Sequence, residues 1–265
     1  MNDASGPMGP AIRRTVLRQS KRAHVGHIGS ALSIADMVGA VFSAMNDSDP
    51  ANPERDRFVL SKGHAALAMY AGLAEVGVLT ADDLDTFCGD ASLLGVHPEH
   101  VLAGVDFSTG SLGQGLSMAV GAALAAKMQG SARRVFAIVS DAECNEGAIW
   151  EAAAFAAQHR LHNLAVLVDN NHQQAFGYTK DILGSHDMAA RWRAFGWDVI
   201  EADGHDEAAL LATLLSAPGE LPRVIVAETV FGKGVSYMER EIKWHYLPMS
   251  DSDFEQAMSE IGQPA

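Results

Sequence analysis

Apolar residues first recur at helical spacing from Ala11 to about Arg22, where Ile12, Val16 and Leu17 share one face. "ADMVGAVFSAM" (Ala35–Met45) predicts a second, largely buried helix, and "RFVL" (Arg57–Leu60) a short strand. "AALAMYAGLAEVG" (Ala65–Gly77) reads as a helix closed by a glycine suited to a left-handed cap, and Thr80 as the N-cap of a short helix. Beyond "GQGLSMAVGAALAAKM" (Gly113–Met128), a helix rich in small residues, strands and helices alternate. The strands are Arg134–Ser140, Asn163–Asp169, Trp197–Ala202 and Pro222–Thr229; the helices are Ala148–His159, Met188–Gly196 and Asp206–Ala217. Continuous apolar strands separated by helices predict an α/β fold, a parallel sheet with helices on both faces. A last helix is expected from near Ser250, where "SDSD" supplies a cap and charges matched to the helix dipole. Residues 1–10 read as a flexible tail, leaving 11–265 as one domain without an internal repeat.

Composition narrows the classes of function. With 265 residues, 48% of them hydrophobic, the chain can bury a substantial core. Its formal charge of 19 − 33 = −14 and lack of a basic run exclude non-specific nucleic-acid binding as an expectation. Cys88 and Cys144 are too few for a disulfide framework. With no apolar run of membrane-spanning length and no signal-like start, a cytoplasmic protein is expected.

Two expected strands end in oxygen donors. Asp141 follows one and Asn171 another, 171 − 141 = 30 residues on, a gap that holds one crossover helix and the next strand. Ligands of open α/β sheets bind beyond the carboxyl ends of strands, so both side chains can reach one crevice. A carboxylate and an amide oxygen, completed by a carbonyl, water and phosphate oxygens, suit a hard cation such as Mg²⁺ or Ca²⁺ that anchors a diphosphate. Gly147, opening the following helix, leaves amide N–H groups for the anion.

"SDAECNEGAIWEA" followed by "NN" resembles the thiamine-diphosphate motif. With "GHIGSALS", "SKGHAALAMY", "GVHPEH", "TGSLGQGLSMAVGAA" and "ETVFGKGVSYME" running to "KWH", the chain is similar to the amino-terminal half of transketolase over roughly residues 11–246. The resemblance implies a thiamine-diphosphate-binding fold, with Asp141, Asn171 and the backbone carbonyl of Gln173 as metal ligands. It places His64 and His245 against the diphosphate, and Gly110, Ser111, Leu112, Ala142 and Glu143 along the cofactor. His27, His97 and His245 would face the reacting carbon unit, binding hydroxyls and moving protons, work suited to imidazole near neutral pH. Glu146 and Glu151 would lie at a dimer interface and couple paired cofactor sites. His24, His100, His159 and His205 are read as ordinary surface or hydrogen-bonded histidines.

Transketolases carry a second α/β domain that nothing after Pro248 could encode. The expectation is therefore the first subunit of a split enzyme, inactive alone. It would self-associate and, with a separate carboxy-terminal partner subunit, form an α2β2 heterotetramer acting on a sugar phosphate. A decarboxylating thiamine-diphosphate enzyme and a non-catalytic cofactor-binding partner are the alternatives. The chain departs from the family pattern at Ser140 and Ala142, where glycines usually flank the motif aspartate, at Ile28 in place of proline, and at Tyr246 in place of glycine.

Overall fold

Alternate residues of single apolar runs enter different cores. Phe136 and Ile138 belong to one buried cluster, while Val135, Ala137 and Val139 belong to the other. This is the period of a strand buried on both faces. A computed structural model describes residues 6–183 and 187–261. In chain order the elements are α1 (Gly9–Ala23), α2 (Ile28–Ser33), α3 (Ala35–Ala44), β1 (Arg57–Leu60), α4 (Ala66–Glu75), α5 (Ala81–Leu84), α6 (Gly115–Met128) and β2 (Val135–Ser140). Then come α7 (Gly147–Gln158), β3 (Leu164–Asn170), the short antiparallel pair β4 (Gln173–Gln174) and β5 (Gly177–Tyr178), and α8 (Thr179–Ile182). The chain continues through α9 (Met188–Ala194), β6 (Asp198–Asp203), α10 (Glu207–Leu215), β7 (Arg223–Glu228) and α11 (Asp251–Glu260).

The main sheet has five strands in the order β1-β2-β3-β7-β6, all parallel. Residues of α1–α4 and α10 fill the core on one face, and residues of α6, α7 and α9 fill the core on the other. The chain runs outward from β1 to β3, passes to β6 at the far edge, and returns to insert β7 between them. Right-handed crossovers require α7 and α10 to lie on opposite faces when the direction of travel reverses. The strand order thus switches between β3 and β7, where a crevice opens beyond the strand ends.

The expected strands and long helices are present. Thr80 and Ser250 each cap a helix through a reciprocal capping box with Asp83 and Asp253. Three features were not foreseen: α2 within "GHIGSALS", the β4–β5 pair, and α8. The boundary of the expected tail needs correction. Gly9 and Pro10 belong to α1, because the Glu207 carboxylate of α10 accepts from the Met8 and Gly9 N–H groups at 2.8 Å each. Gly39 makes room for that carboxylate, since a Cβ there would lie 2.7 Å from Glu207 Oε1. A negative group at a helix N-terminus is stabilised by the orphan N–H groups and the dipole. Glu207→Ala should therefore destabilise the fold by about 2 kcal/mol, read as a lowered midpoint in urea with an unchanged slope.

Candidate active site

The crevice at the switch is organised by an ion pair that the sequence pattern did not reveal. Lys62, just after β1, and Asp169, near the end of β3, are almost wholly buried, with Lys62 Nζ 2.5 Å from Asp169 Oδ2. The same oxygen accepts from Asn171 Nδ2 at 2.8 Å, and Oδ1 accepts from Ser33 Oγ at 2.6 Å and Thr229 Oγ1 at 2.5 Å. One carboxylate thus ties the ends of β1, β3 and β7 to α2. A buried charge is tolerated only when paired and hydrogen-bonded in this way. Position is the one signal that could have flagged it: both charged residues close an apolar strand.

Above Lys62 the rings of His27, His64 and His245 form a triangle, with centroids 5.0–5.4 Å apart. The turn before α2 places His27, in a left-handed conformation at φ 61°, and its N–H donates to the His245 carbonyl at 3.2 Å. Ser30 Oγ lies 2.9 Å from His64 Nε2 and orients that ring. Phe231 stacks parallel to His245 at 6.2 Å, and Gly29 lies under Phe231 where a Cβ would come within 2.1 Å of its ring. The triangle opens into a cavity of about 120 Å³ that also touches Leu112, Ala142, Asn171, Gln173 and Gln174. Burial lowers all three imidazoles, that of His245 to about 4, with neighbouring histidines and the Lys62 ammonium adding to the effect. At pH 7 the rings are neutral. The Nδ1 atoms of His27 and His245, Gln173 Oε1 and Gln174 Nε2 are buried without a hydrogen-bond partner among the described residues. These polar walls fit a ligand rich in hydrogen-bonding groups.

Asp141 and Asn171 come together as expected. Both line a second, larger cavity of about 1240 Å³ beyond the ends of β3, β6 and β7, and Asn171 and Gln173 border both cavities. Asp141 Oδ1 accepts from the Ala142 N–H at 2.9 Å and Oδ2 from Thr179 Oγ1 at 2.7 Å, while Asn171 Oδ1 accepts from the Gln173 N–H at 2.9 Å. Burial pushes the Asp141 carboxyl up to about 6, opposed by the Thr179 hydroxyl. Among the described residues no three His, Cys, Asp or Glu side chains converge as a metal cage. The expected donors include only one such side chain, so a cation there would draw further oxygens from water or a phosphate.

The remaining expected residues divide into rim, scaffold and surface. His97 is exposed at the rim, where a Cβ on Gly110 would come within 3.3 Å of its ring, and Ser111 is exposed beside it. Glu143 turns away from the site: its carboxylate accepts from Ser61 Oγ at 2.6 Å, the Gly113 N–H at 2.9 Å and the Ser140 N–H at 3.1 Å. Its own N–H donates to Ser140 Oγ, so Glu143 braces the loops from behind. Glu146, the N-cap of α7, and Glu151 are exposed and border neither cavity. Cys88 and Cys144 are free thiols, the latter buried.

The fold and site have counterparts in known proteins. Residues 8–264 match the family described as transketolase, thiamine diphosphate binding domain. The chain belongs to that family. It is 39% identical over 257 residues to an apulose-4-phosphate transketolase subunit of Actinobacillus succinogenes, covering 95% of this chain and 93% of that protein. It is 38% identical to 6-deoxy-6-sulfo-D-fructose transketolase subunit SqwG of a Clostridium species, covering 94% and 93%. The solved transketolase of Leishmania mexicana superposes with a TM-score of 0.87 at 30% identity; the match covers 97% of this chain and 41% of that one. The chain thus spans most of the subunit-type relatives and about two fifths of the longer enzyme.

Two outcomes follow from the site. Asp169→Asn leaves Lys62 as an uncompensated buried charge and should cost about 3–5 kcal/mol in urea unfolding, with Lys62→Met/Asp169→Asn less destabilised than the sum of its parts. The folded-state value of about 4 for His245 lies below the ordinary 6.5, so the unfolded chain binds more protons between them. This ring therefore lowers stability as pH falls from 6.5 towards 4 and has no such effect above that window; NMR titration of the ring should give a midpoint near 4.

Proposed function

We propose that this chain is the diphosphate-binding subunit of a two-component, thiamine-diphosphate-dependent transketolase. It moves a two-carbon ketol unit from a ketose phosphate to an aldose acceptor, together with a separate carboxy-terminal subunit. The observation that carries the reading is the triangle of His27, His64 and His245 beside Asp141 and Asn171 at the strand switch. The near full-length match to proteins named as transketolase subunits supports the two-component form. The relatives' names carry different sugars, so the proposal extends to the class of substrate and not to one sugar.

Asp141, Asn171 and the Gln173 carbonyl would hold Mg²⁺ or Ca²⁺, which would supply positive charge for the diphosphate. His64 and His245 would contact its oxygens, while Leu112, Gly110, Ser111 and the Ala142 N–H would line the cofactor. When bound, thiamine diphosphate supplies the carbanion chemistry. The protein's own part is positioning and proton handling. Neutral rings with unpartnered Nδ1 atoms at His27 and His245 accept a proton from a sugar hydroxyl and return it to an oxygen. His97 at the rim binds a further hydroxyl. Glu146 and Glu151 lie on the exposed surface around α7, where a second copy of the chain would meet them in an α2β2 assembly. Residues 11–265, with α1 completing them from Gly9, act as one cofactor-binding domain in the cytoplasm. No helix among the described residues is long and apolar enough to cross a membrane.

Calorimetry tests the cofactor step: thiamine diphosphate should bind only with Mg²⁺ present, and Asp141→Ala should weaken binding at least tenfold. If binding is indifferent to Mg²⁺ and to that substitution, the reading is wrong. The purified chain should show no ketol transfer alone and gain it when the carboxy-terminal subunit is added, with His245→Ala cutting the reconstituted rate by about 10²-fold.

A further inference from the structure

Residues 171–178 leave the end of β3, fold back as the β4–β5 pair and form a strap beside the histidine cavity. His172 Nε2 lies 2.8 Å from Glu228 Oε2 and Asn171 Nδ2 donates to Asp169 at 2.8 Å, and one distant stretch ties down the rest of the strap. Gln173 Nε2 and Tyr178 Oη both donate to the Arg240 carbonyl, at 2.6 and 3.4 Å, and Tyr246 Oη donates to the Ala175 carbonyl at 2.7 Å. Ala175 and Gln174 border the cavity, as does His245, whose ring centroid lies 5.0 Å from that of Tyr246. Tyr246 is not itself a lining residue but bridges two that are, rooted next to His245 at one end and fastened to Ala175 of the strap at the other.

The root is fixed. Gly26 packs so closely that a Cβ there would lie 2.4 Å from the Tyr246 carbonyl oxygen, and the His27 N–H holds the carbonyl of His245. The Tyr246 side of the mouth has little freedom to retreat, and of the bonds that tie the strap, the one to the Ala175 carbonyl comes from Tyr246 alone. The residue is 55% exposed, so part of its ring meets whatever approaches from solvent. Among the described residues Tyr246 belongs to neither buried cluster, so its ring is not part of either core.

We propose that Tyr246 is a specificity-determining residue. Its hydroxyl latches the strap across the cavity mouth, and its ring narrows the opening so that short, unbranched carbon chains enter and bulkier ones are turned away. The identity of the chains as sugars rests on the function proposed above; the latch rests on the hydrogen bond and the packing around it.

Three measurements on Tyr246→Phe and Tyr246→Gly test this. Amide hydrogen exchange on the isolated chain should quicken about fivefold over 173–178 in Tyr246→Phe, as loss of one net hydrogen bond requires, and more in Tyr246→Gly, with β2 and β3 unchanged. Diethyl pyrocarbonate, mapped by mass spectrometry, should label His27 and His245 several-fold faster in Tyr246→Gly. In the complex with the carboxy-terminal subunit, Tyr246→Gly should raise kcat/KM for a long or branched aldose at least tenfold relative to glycolaldehyde. Unchanged exchange and labelling overturn the latch; faster exchange with unchanged selectivity overturns the specificity role. If the wild-type complex transfers no ketol unit, the function proposed above fails, and exchange and labelling alone decide for or against the latch.

Discussion

A buried lysine and a buried aspartate hold the working end of this molecule together. Lys62 and Asp169 sit at the strand switch, and the aspartate accepts from Lys62, Ser33, Asn171 and Thr229 at once. A bare carboxylate in that position would be driven neutral, and a bare ammonium likewise. Together they satisfy each other and fix four segments of chain from three strand ends and α2. The orientation of the Asn171 amide follows from this pairing.

The pair also sets the electrostatics of the space above it. The Lys62 ammonium lies under three imidazoles that are themselves half-buried, and each of these influences disfavours adding a proton to a ring. The site therefore presents neutral bases near pH 7, while remaining walled by polar atoms that lack partners among the described residues. Burial and a fixed positive charge act in the same direction here, so the neutral state does not depend on any one ring.

Much of this was legible in the sequence, and the failures have physical reasons. Strands buried on both faces announce themselves as unbroken apolar runs, and β2, β3 and β7 were found for that reason. β6 was found from a shorter run; it is an edge strand whose residues are only partly buried or exposed. α2 escaped notice because Gly29 and Ser30 are poor helix formers by propensity; tertiary burial of the whole segment overrides this. The strap is tied by hydrogen bonds to Arg240 and Tyr246 and α8 by the bond from Thr179 to Asp141, long-range contacts that no local pattern can reveal. Asp141 and Asn171 could be placed because their spacing fixes one crossover, and the histidines because the family resemblance aligned them. Lys62, Asp169 and the inward turn of Glu143 depend on which side chains meet in three dimensions, and short-range pattern carries no such information.

His27 carries two unlike demands. Its backbone sits in the left-handed region, which glycine and asparagine enter at little cost and β-branched residues resist. Its ring meanwhile forms one corner of the histidine triangle. Asparagine at this position would keep the turn and remove the imidazole, whereas valine would disturb both. Tolerance at position 27 is thus governed by shape first and chemistry second, so a mutational survey scored on folding alone would rank its substitutes in a different order from one scored on turnover.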